Sequence, residues 1–425
     1  GAGNMGMYRM QMYDERTTGM HMQIQKGGGF HYQIAEKMGK PLEMAVAVGG
    51  DPSLILAAIM PLPEGLDEVA FSGIVRGQRT PLTKAKTIDM KVPAHAEFVF
   101  EGVLRPRVRR LEGPFGDHFG HYSAAGDHPV FEITRMTHRK NAIYPATVVG
   151  RPPQEDRYLG DAAQLALTPL MRILRKEVKD MWAYYEAGFH NLLVVSVDPR
   201  YQREPIKTAM GLLGEGQLSL TKNLILVGPD VNPRNYSQVM QAIRRNFDPE
   251  QDFPLLARTA ADTLDFTGEA LHKGSKMILD ATGGSLGEGD PTAVALPANI
   301  SAIASGIIKH RLVGKTMLVV QTDGDGREII QKLVDNPLLG SVKIVVAVSA
   351  DVDIDDDENL IWGIFTRFDA VLDVMFSRSE FRGIAPVYSG VLGIDATWKQ
   401  GYQKPLVMDP DVVKKVDAKW SRYWK

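Results

Sequence analysis

From His190 onward the chain repeats itself, and that repetition constrains its fold more than any other feature. The segments HNLLVVSVDPRYQREPIKTAMG, NLILVGPDVNPRNYSQVMQAIRRNFDP and GSKMILDAT are echoed by KTMLVVQTDGDGREIIQKLV, VKIVVAVSADVDIDDDENLIWGIFTRFD and GVLGIDATW, so that Leu192 answers to Met317 and Asp280 to Asp395. Each copy reads as an apolar strand, a helix, a second strand, a second helix opened by acidic caps, and an Asp-Ala-Thr turn. Alternating strands and helices predict a parallel α/β sheet, and a period this long means duplicated units rather than a solenoid. The expected boundaries are 186–300 and 301–425.

Ahead of the repeat, Leu165, Leu167, Leu170, Leu174, Val178 and Met181 recur at helical spacing, and 157–185 is read as one connecting helix. Residues 1–156 read as a β-rich domain of short strands and turns, among them GMHMQIQ, KPLEMAVAVGG, AEFVFEGV and PVFEITRMTH. Asp51 and Pro52 have the form of an N-cap and first helical residue for SLILAAIM. The ending DPDVVKKVDAKWSRYW carries a stripe of Val412, Val413, Val416, Trp420 and Tyr423. It is expected to close its own domain, with docking on a neighbour as the alternative. The expected fold class is α/β, α+β overall.

A chain of 425 residues, 44% hydrophobic and 24% charged, has room for two or three globular domains. Its longest apolar runs are far shorter than a membrane span, so a soluble, cytoplasmic protein is expected. A net charge of -2 and one short basic run, RPRVRR at Arg105–Arg110, read as a solvated loop, argue against a nucleic-acid partner. Cysteine is absent, which excludes disulfides, thiolate zinc sites and cysteine nucleophiles and leaves metal binding to nitrogen and oxygen ligands.

The stretch EGPFGDHFGHYS, Glu112 to Ser123, has neither helical nor strand periodicity. Glu112 and Asp117 flank a Gly-Pro-Phe-Gly turn. Two carboxylates facing one cavity push each other's pKa values apart, as a proton donor requires; capping of backbone amides or pairing with arginines explains them equally well. In NMGMYRMQ, Asn4, Gly6, Tyr8 and Met10 would share one strand face, with Met7 and Arg9 on the other; Arg9 is either a two-pronged carboxylate clamp or a surface residue. In MHMQIQKGGGFHYQ, alternation puts His21, Gln23 and Gln25 on one face, suited to a metal, a cofactor or plain hydration. Glycines 27–29 lack a phosphate-loop context. Glu68 is one acid among several, and Lys276 reaches an anion from a turn or is solvated. His118 and His121 are read as structural hydrogen-bonding groups, with substrate tuning as the alternative. The clustered methionines are read as gap fillers and an apolar pocket wall.

Taken together, NMGMYRMQ, MHMQIQKGGGFHYQ, GGDPSLILAAIMPLPEGLDEVAFSGIVRG, VPAHAEFVFEG, EGPFGDHFGHYS, AIYPATVVGRPPQED and GSKMILDAT resemble, in order, the UbiD family of reversible decarboxylases that use prenylated FMN. The resemblance covers Asn4 to Thr282 almost continuously, and GIDATWKQGYQKPLVMDPDVVKKVDAKW is similar to the family's C-terminus.

The resemblance implies decarboxylation of an aromatic or α,β-unsaturated acid. Arg9, Glu112 and Asp117 fall on the catalytic triad, with Arg9 as carboxylate clamp and Asp117 as proton donor. Asn4, Gln25 and Glu68 fall on the ligands of a divalent metal, usually Mn2+, with K+ as a further cation; Gln25 stands where the family usually has histidine, and His21 is a substitute on the same predicted face. Met7, Met60, Pro61 and Lys276 fall on the flavin site. The cofactor supplies the electron sink that no side chain offers. A flavin prenyltransferase as cofactor supplier and a homo-oligomer are implied. The family carries a segment ahead of the Asn4 motif that this chain lacks, so the flavin domain is expected to be incomplete unless another chain supplies it. A carboxylase subunit needing partner chains is the alternative. The duplicated unit resembles the long branch that includes a menaquinone-pathway decarboxylase.

Overall fold

The computed structural model describes residues 3–23, 26–62, 65–283 and 294–424. The chain forms two units. One comprises Gly1–Phe115, Ser123–Val148 and Asp161–Leu167; the other comprises Gly116–Tyr122, Val149–Gly160 and Thr168–Lys425.

The first unit is built on an antiparallel sheet of β1 (Thr17–Gly19), β2 (Leu42–Val48), β3 (Phe98–Glu112) and β4 (Gly126–His138), in the order β1-β4-β3-β2. Met20, Tyr32, Leu104 and Phe131 fill its core. The RPRVRR run belongs to β3 and is not a solvated loop: Arg105 pairs with Glu132, Arg109 with Glu36 and Arg110 with Asp14. The β3–β4 ladder shifts register at Glu101/Gly102 and between Leu104 and Arg109, which bends the pair locally. Helices α1 (Gly27–Met38), α2 (Pro52–Ile59) and α3 (Glu68–Arg76) complete the unit. As expected, Asp51 caps α2, its carboxylate accepting the Ser53 N–H at 2.9 Å.

Two strand expectations fail here. The NMGMYRMQ run lies outside the assigned strands, although Gly19 N–H donates to Gln11 O (2.7 Å) and His21 N–H to Arg9 O (3.2 Å). The strand ends at Gly19, so residues 20–23 of the MHMQIQ run lie outside it, and Ile24 and Gln25 lie outside the described residues. The following glycines open α1, and side chains pack so closely onto its first turn that a Cβ has no room. A Cβ at Gly27 would sit 1.9 Å from Asn4 Oδ1, and one at Gly28 would sit 2.3 Å from Tyr8 Oη.

The second unit carries the repeat. Strands β5 (Val178–Ala183), β6 (Leu193–Val197), β7 (Asn223–Val227), β8 (Leu255–Ala260) and β9 (Lys273–Ala281) lie in the order β5-β6-β7-β9-β8. Strands β10 (Ile307–Val313), β11 (Met317–Thr322), β12 (Ile344–Ser349), β13 (Val374–Arg382) and β14 (Ala385–Ala396) lie in the order β10-β11-β12-β14-β13. In both sheets the three central strands are parallel and the two edges antiparallel. The Asp-Ala-Thr ends match in detail. Asp280 Oδ1 accepts the Thr282 N–H (3.1 Å) and hydroxyl (2.6 Å), and Asp395 Oδ1 does the same for Thr397 at 3.1 and 2.6 Å. One core spans both copies, from Leu192, Val194 and Ile225 to Val319, Val346, Trp362 and Phe368.

The helix expected over 157–185 is shorter. Helix α4 (Asp156–Leu174) contains Pro169 and is followed by β5, which pairs antiparallel with β6. Val178 and Met181 fit helical spacing, but strand pairing buries them, whereas Leu165, Leu170 and Leu174 on α4 stay exposed. The first α/β copy therefore begins at β5, ahead of the expected 186. The C-terminal helices Pro410–Asp417 and Trp420–Tyr423 bury no residue, so their stripe does not close its own domain. Among the described residues no helix is long and apolar enough to cross a membrane.

Candidate active site

In the first unit, the β3–β4 register sets Arg110 opposite His128 and Glu112 opposite Gly126, so His128 and Glu112 are diagonal neighbours on one sheet face. Met20 N–H donates to Pro129 O at 2.9 Å and brings His21 to the same place. Arg9 grips Glu112 with two contacts, Nε to Oε1 at 3.2 Å and Nη2 to Oε2 at 2.9 Å. The Glu112 side chain is 0% exposed and that of Arg9 12%. The guanidinium also lies over the Phe115 ring at 4.8 Å.

His21 Nδ1 stands 2.9 Å from both Glu112 Oε2 and Arg9 Nη2. This triangle holds one contact more than its protons serve. Nδ1 either accepts from Arg9 or donates to Glu112, never both. Burial alone would raise the Glu112 pKa; the hydrogen bonds from His21 and Arg9 outweigh it and hold the carboxyl at about 2. His128 Nε2 lies 3.5 Å from Oε2, and burial together with the His21 charge lowers its pKa.

His21, Glu112 and His128 place ligand atoms within 4.8 Å of one another. A cation there would have to compete with the guanidinium already against Oε2 and Nδ1. The expected metal residues make the more compatible donor set. Asn4 and Glu68 offer hard oxygens suited to Mn2+ or Mg2+, and the N–H of Met5, next to Asn4 in the chain, donates to Glu68 Oε2 at 3.0 Å. Tyr8 Oη accepts the Gly28 N–H at 2.9 Å alongside. Met7 is about half exposed and Pro61 partly so, leaving apolar surface for a planar ring, whereas Met60 is buried. Asn4 and Glu68 are of the donor type a hard cation takes, and Met7 and Pro61 of the type a planar ring packs on; Gln25 lies outside the described residues.

The remaining expected residues lie in the second unit. Lys276 is buried in β9 rather than placed on a turn; its amine donates to Thr221 O (2.9 Å) and Ala260 O (3.0 Å), and burial lowers its pKa to about 8. Asp117 Oδ1 accepts from the His118 N–H (2.9 Å) and faces His118 Nδ1 (3.0 Å). The peptide around them is anchored: Gln154 Nε2 donates to His118 O (2.9 Å), Trp362 Nε1 to Phe119 O (3.0 Å) and Leu406 N–H to Gly120 O (2.9 Å). His121 has the expected structural role. It is buried, stacks on Trp362 at 5.0 Å and shares a 3.1 Å contact with Phe119 O, and burial beside Arg367 lowers its pKa to about 3.

Residues 1–152 match the 3-octaprenyl-4-hydroxybenzoate carboxy-lyase Rift-related domain, and residues 157–281 and 296–395 match the corresponding C-terminal domain. The chain belongs to the UbiD family. Its UbiD relatives include a subunit of 4-hydroxybenzoate decarboxylase from Chlamydia pneumoniae, 38% identical over 99% of this chain and 71% of the relative. Among solved structures, the vanillic acid decarboxylase of Sedimentibacter hydroxybenzoicus in closed form is 30% identical with a TM-score of 0.63, over 69% of this chain and 62% of that one. The UbiD-class enzyme HmfF from Pelotomaculum thermopropionicum, in complex with FMN, is 26% identical with a TM-score of 0.59, over 69% and 65%. The chain thus spans about three fifths to seven tenths of these UbiD proteins. The family's fold and its carboxy-lyase class follow from these matches.

Proposed function

We propose that this chain is a reversible, non-oxidative decarboxylase of aromatic or α,β-unsaturated carboxylic acids, working with prenylated FMN and a divalent metal, Mn2+ with K+ as a further cation. Asn4, Gln25 and Glu68 hold the metal; Met7 and Pro61 present apolar surface to the flavin, and Met60 and Lys276 are assigned to the flavin by the family resemblance alone, since Met60 is buried and the Lys276 amine is engaged by two carbonyls. When bound, the flavin supplies the electron sink for cleaving a bond between an sp2 carbon and its carboxylate.

The observation that carries this reading is the buried Arg9–Glu112 pair. Glu112 orients the guanidinium fork, which is shaped for a second carboxylate. When Arg9 turns toward a substrate carboxylate, His21 Nδ1–H takes over at Glu112 Oε2, so the buried anion is never stranded. Asp117 delivers the proton that replaces carbon dioxide. The reaction fits a cysteine-free chain in the cytoplasm, a homo-oligomer, and a flavin prenyltransferase as cofactor supplier.

Produced with such a prenyltransferase, the protein is expected to carry flavin in native mass spectrometry and to release carbon dioxide from a panel of aryl acids. Asp117→Asn is expected to lower turnover by about 10²–10⁴-fold with metal retained. Flavin-loaded protein inert toward every acid, with and without partner chains, would overturn the reading. The second reading, a subunit active only with partners, is favoured by the relative named as a subunit. It predicts turnover that appears only when partner chains are added.

A further inference from the structure

Resting on the proposed role of Asp117, we infer that His118 reloads Asp117 with its proton after each turnover. Decarboxylation replaces carbon dioxide by a proton on carbon, so an acid that delivers that proton is left as a carboxylate and must be recharged once per cycle. His118 is placed for this. Its Nδ1 faces Asp117 Oδ1 at 3.0 Å, while its own backbone N–H holds the same oxygen at 2.9 Å. The carbonyl of His118 is fixed by Gln154, whose Oε1 accepts the Gly150 N–H at 3.2 Å. Phe119 meets the imidazole edge-on at 5.1 Å, and Phe189 lies 6.3 Å away. The His118 side chain remains one quarter exposed, enough to exchange protons with water.

The charged groups acting on the ring are acidic. Besides Asp117 they are Asp156, which follows the Gln154 anchor, and Asp262, which is fully engaged with His190 Nδ1 at 2.5 Å. Asp156 keeps a buried Oδ1 that has no hydrogen-bond partner among the described residues. Burial pulls the His118 pKa down, but the Asp117 hydrogen bond and the three carboxylates outweigh it, and the net shift is upward. The imidazolium is therefore favoured relative to an ordinary histidine.

The step balances. The N–H bond at His118 Nδ1 breaks as the O–H bond at Asp117 Oδ1 forms, the imidazole becomes neutral, and the pair takes one proton from water per carbon dioxide released. Carboxylation runs the same transfer backward. His118 acts through Asp117 and is a positioning and relay residue.

The test uses the full-length, flavin-loaded protein and its His118→Gln and His118→Gly variants. The first turnover of enzyme pre-equilibrated at low pH is expected to match wild type, whereas steady-state turnover falls at least 10-fold with KM unchanged. Added imidazole is expected to restore the glycine variant. Independently, the titration of the His118 ring resonances is expected to move down in Asp117→Asn and Asp156→Asn relative to wild type. The inference is overturned if steady-state rate and its pH profile are unchanged in His118→Gln, if imidazole rescues nothing, or if the His118 titration ignores Asp117→Asn. A fully active Asp117→Asn enzyme would instead sink the proposed role of Asp117 itself.

Discussion

Glu112 illustrates what a buried carboxylate demands of its neighbours. Its pKa in the fold, about 2, lies below the ordinary 4.5. The pairing therefore stabilises the fold fully above pH about 4.5, and the stabilisation is lost as pH falls through about 2. The loss amounts to roughly 3 kcal/mol. Urea unfolding of wild type between pH 2 and 6 should show this slope, and Glu112→Gln should flatten it. Arg9→Met leaves the carboxylate at 0% exposure without its main counter-charge, which costs about 3–5 kcal/mol; a variant as stable as wild type at pH 7 contradicts the pairing. The sequence motifs point to Arg9 and Glu112, and strand alternation points to His21 as a polar residue. His128 carries no such signal, because only the β3–β4 register makes it a neighbour of Glu112.

At the scale of elements, the β3–β4 pair is the frame on which the first unit's site is mounted. Its register shift at Gly102 brings the chains so close that a Cβ would sit 2.0 Å from Glu132 O. Gly102→Ala is expected to cost about 1–3 kcal/mol by forcing the strands apart, read as a lower urea midpoint with unchanged slope. The repeat is legible because parallel strands buried on both faces are near-continuous apolar runs, as in LLVVSV and MLVVQT. The boundary between α4 and β5 is not legible, since Val178 and Met181 satisfy a helical period and a strand equally until β6 pairs with them.

At the scale of the whole molecule, each unit has its own core, and all five tryptophans, at 182, 362, 398, 420 and 424, fall in the second unit. Tryptophan fluorescence should therefore report unfolding of that unit alone, while far-UV circular dichroism reports both. Trp362, fully buried beneath His121, is the sensitive point: Trp362→Ala is expected to cost about 3–5 kcal/mol and to move the fluorescence transition. Arg9→Met should lower the dichroism midpoint, and an unchanged midpoint would contradict the buried pairing. By itself the sequence determined the duplicated α/β plan, the family and the chemical types in the EGPFGD turn, because apolar periodicity and motif order are local properties of the chain. Tertiary structure alone decided that His21 and His128 flank Glu112, that Lys276 spends its amine on two carbonyls, and that His118 sits among three acids, because burial, register and electrostatic neighbourhood depend on residues far apart in the chain.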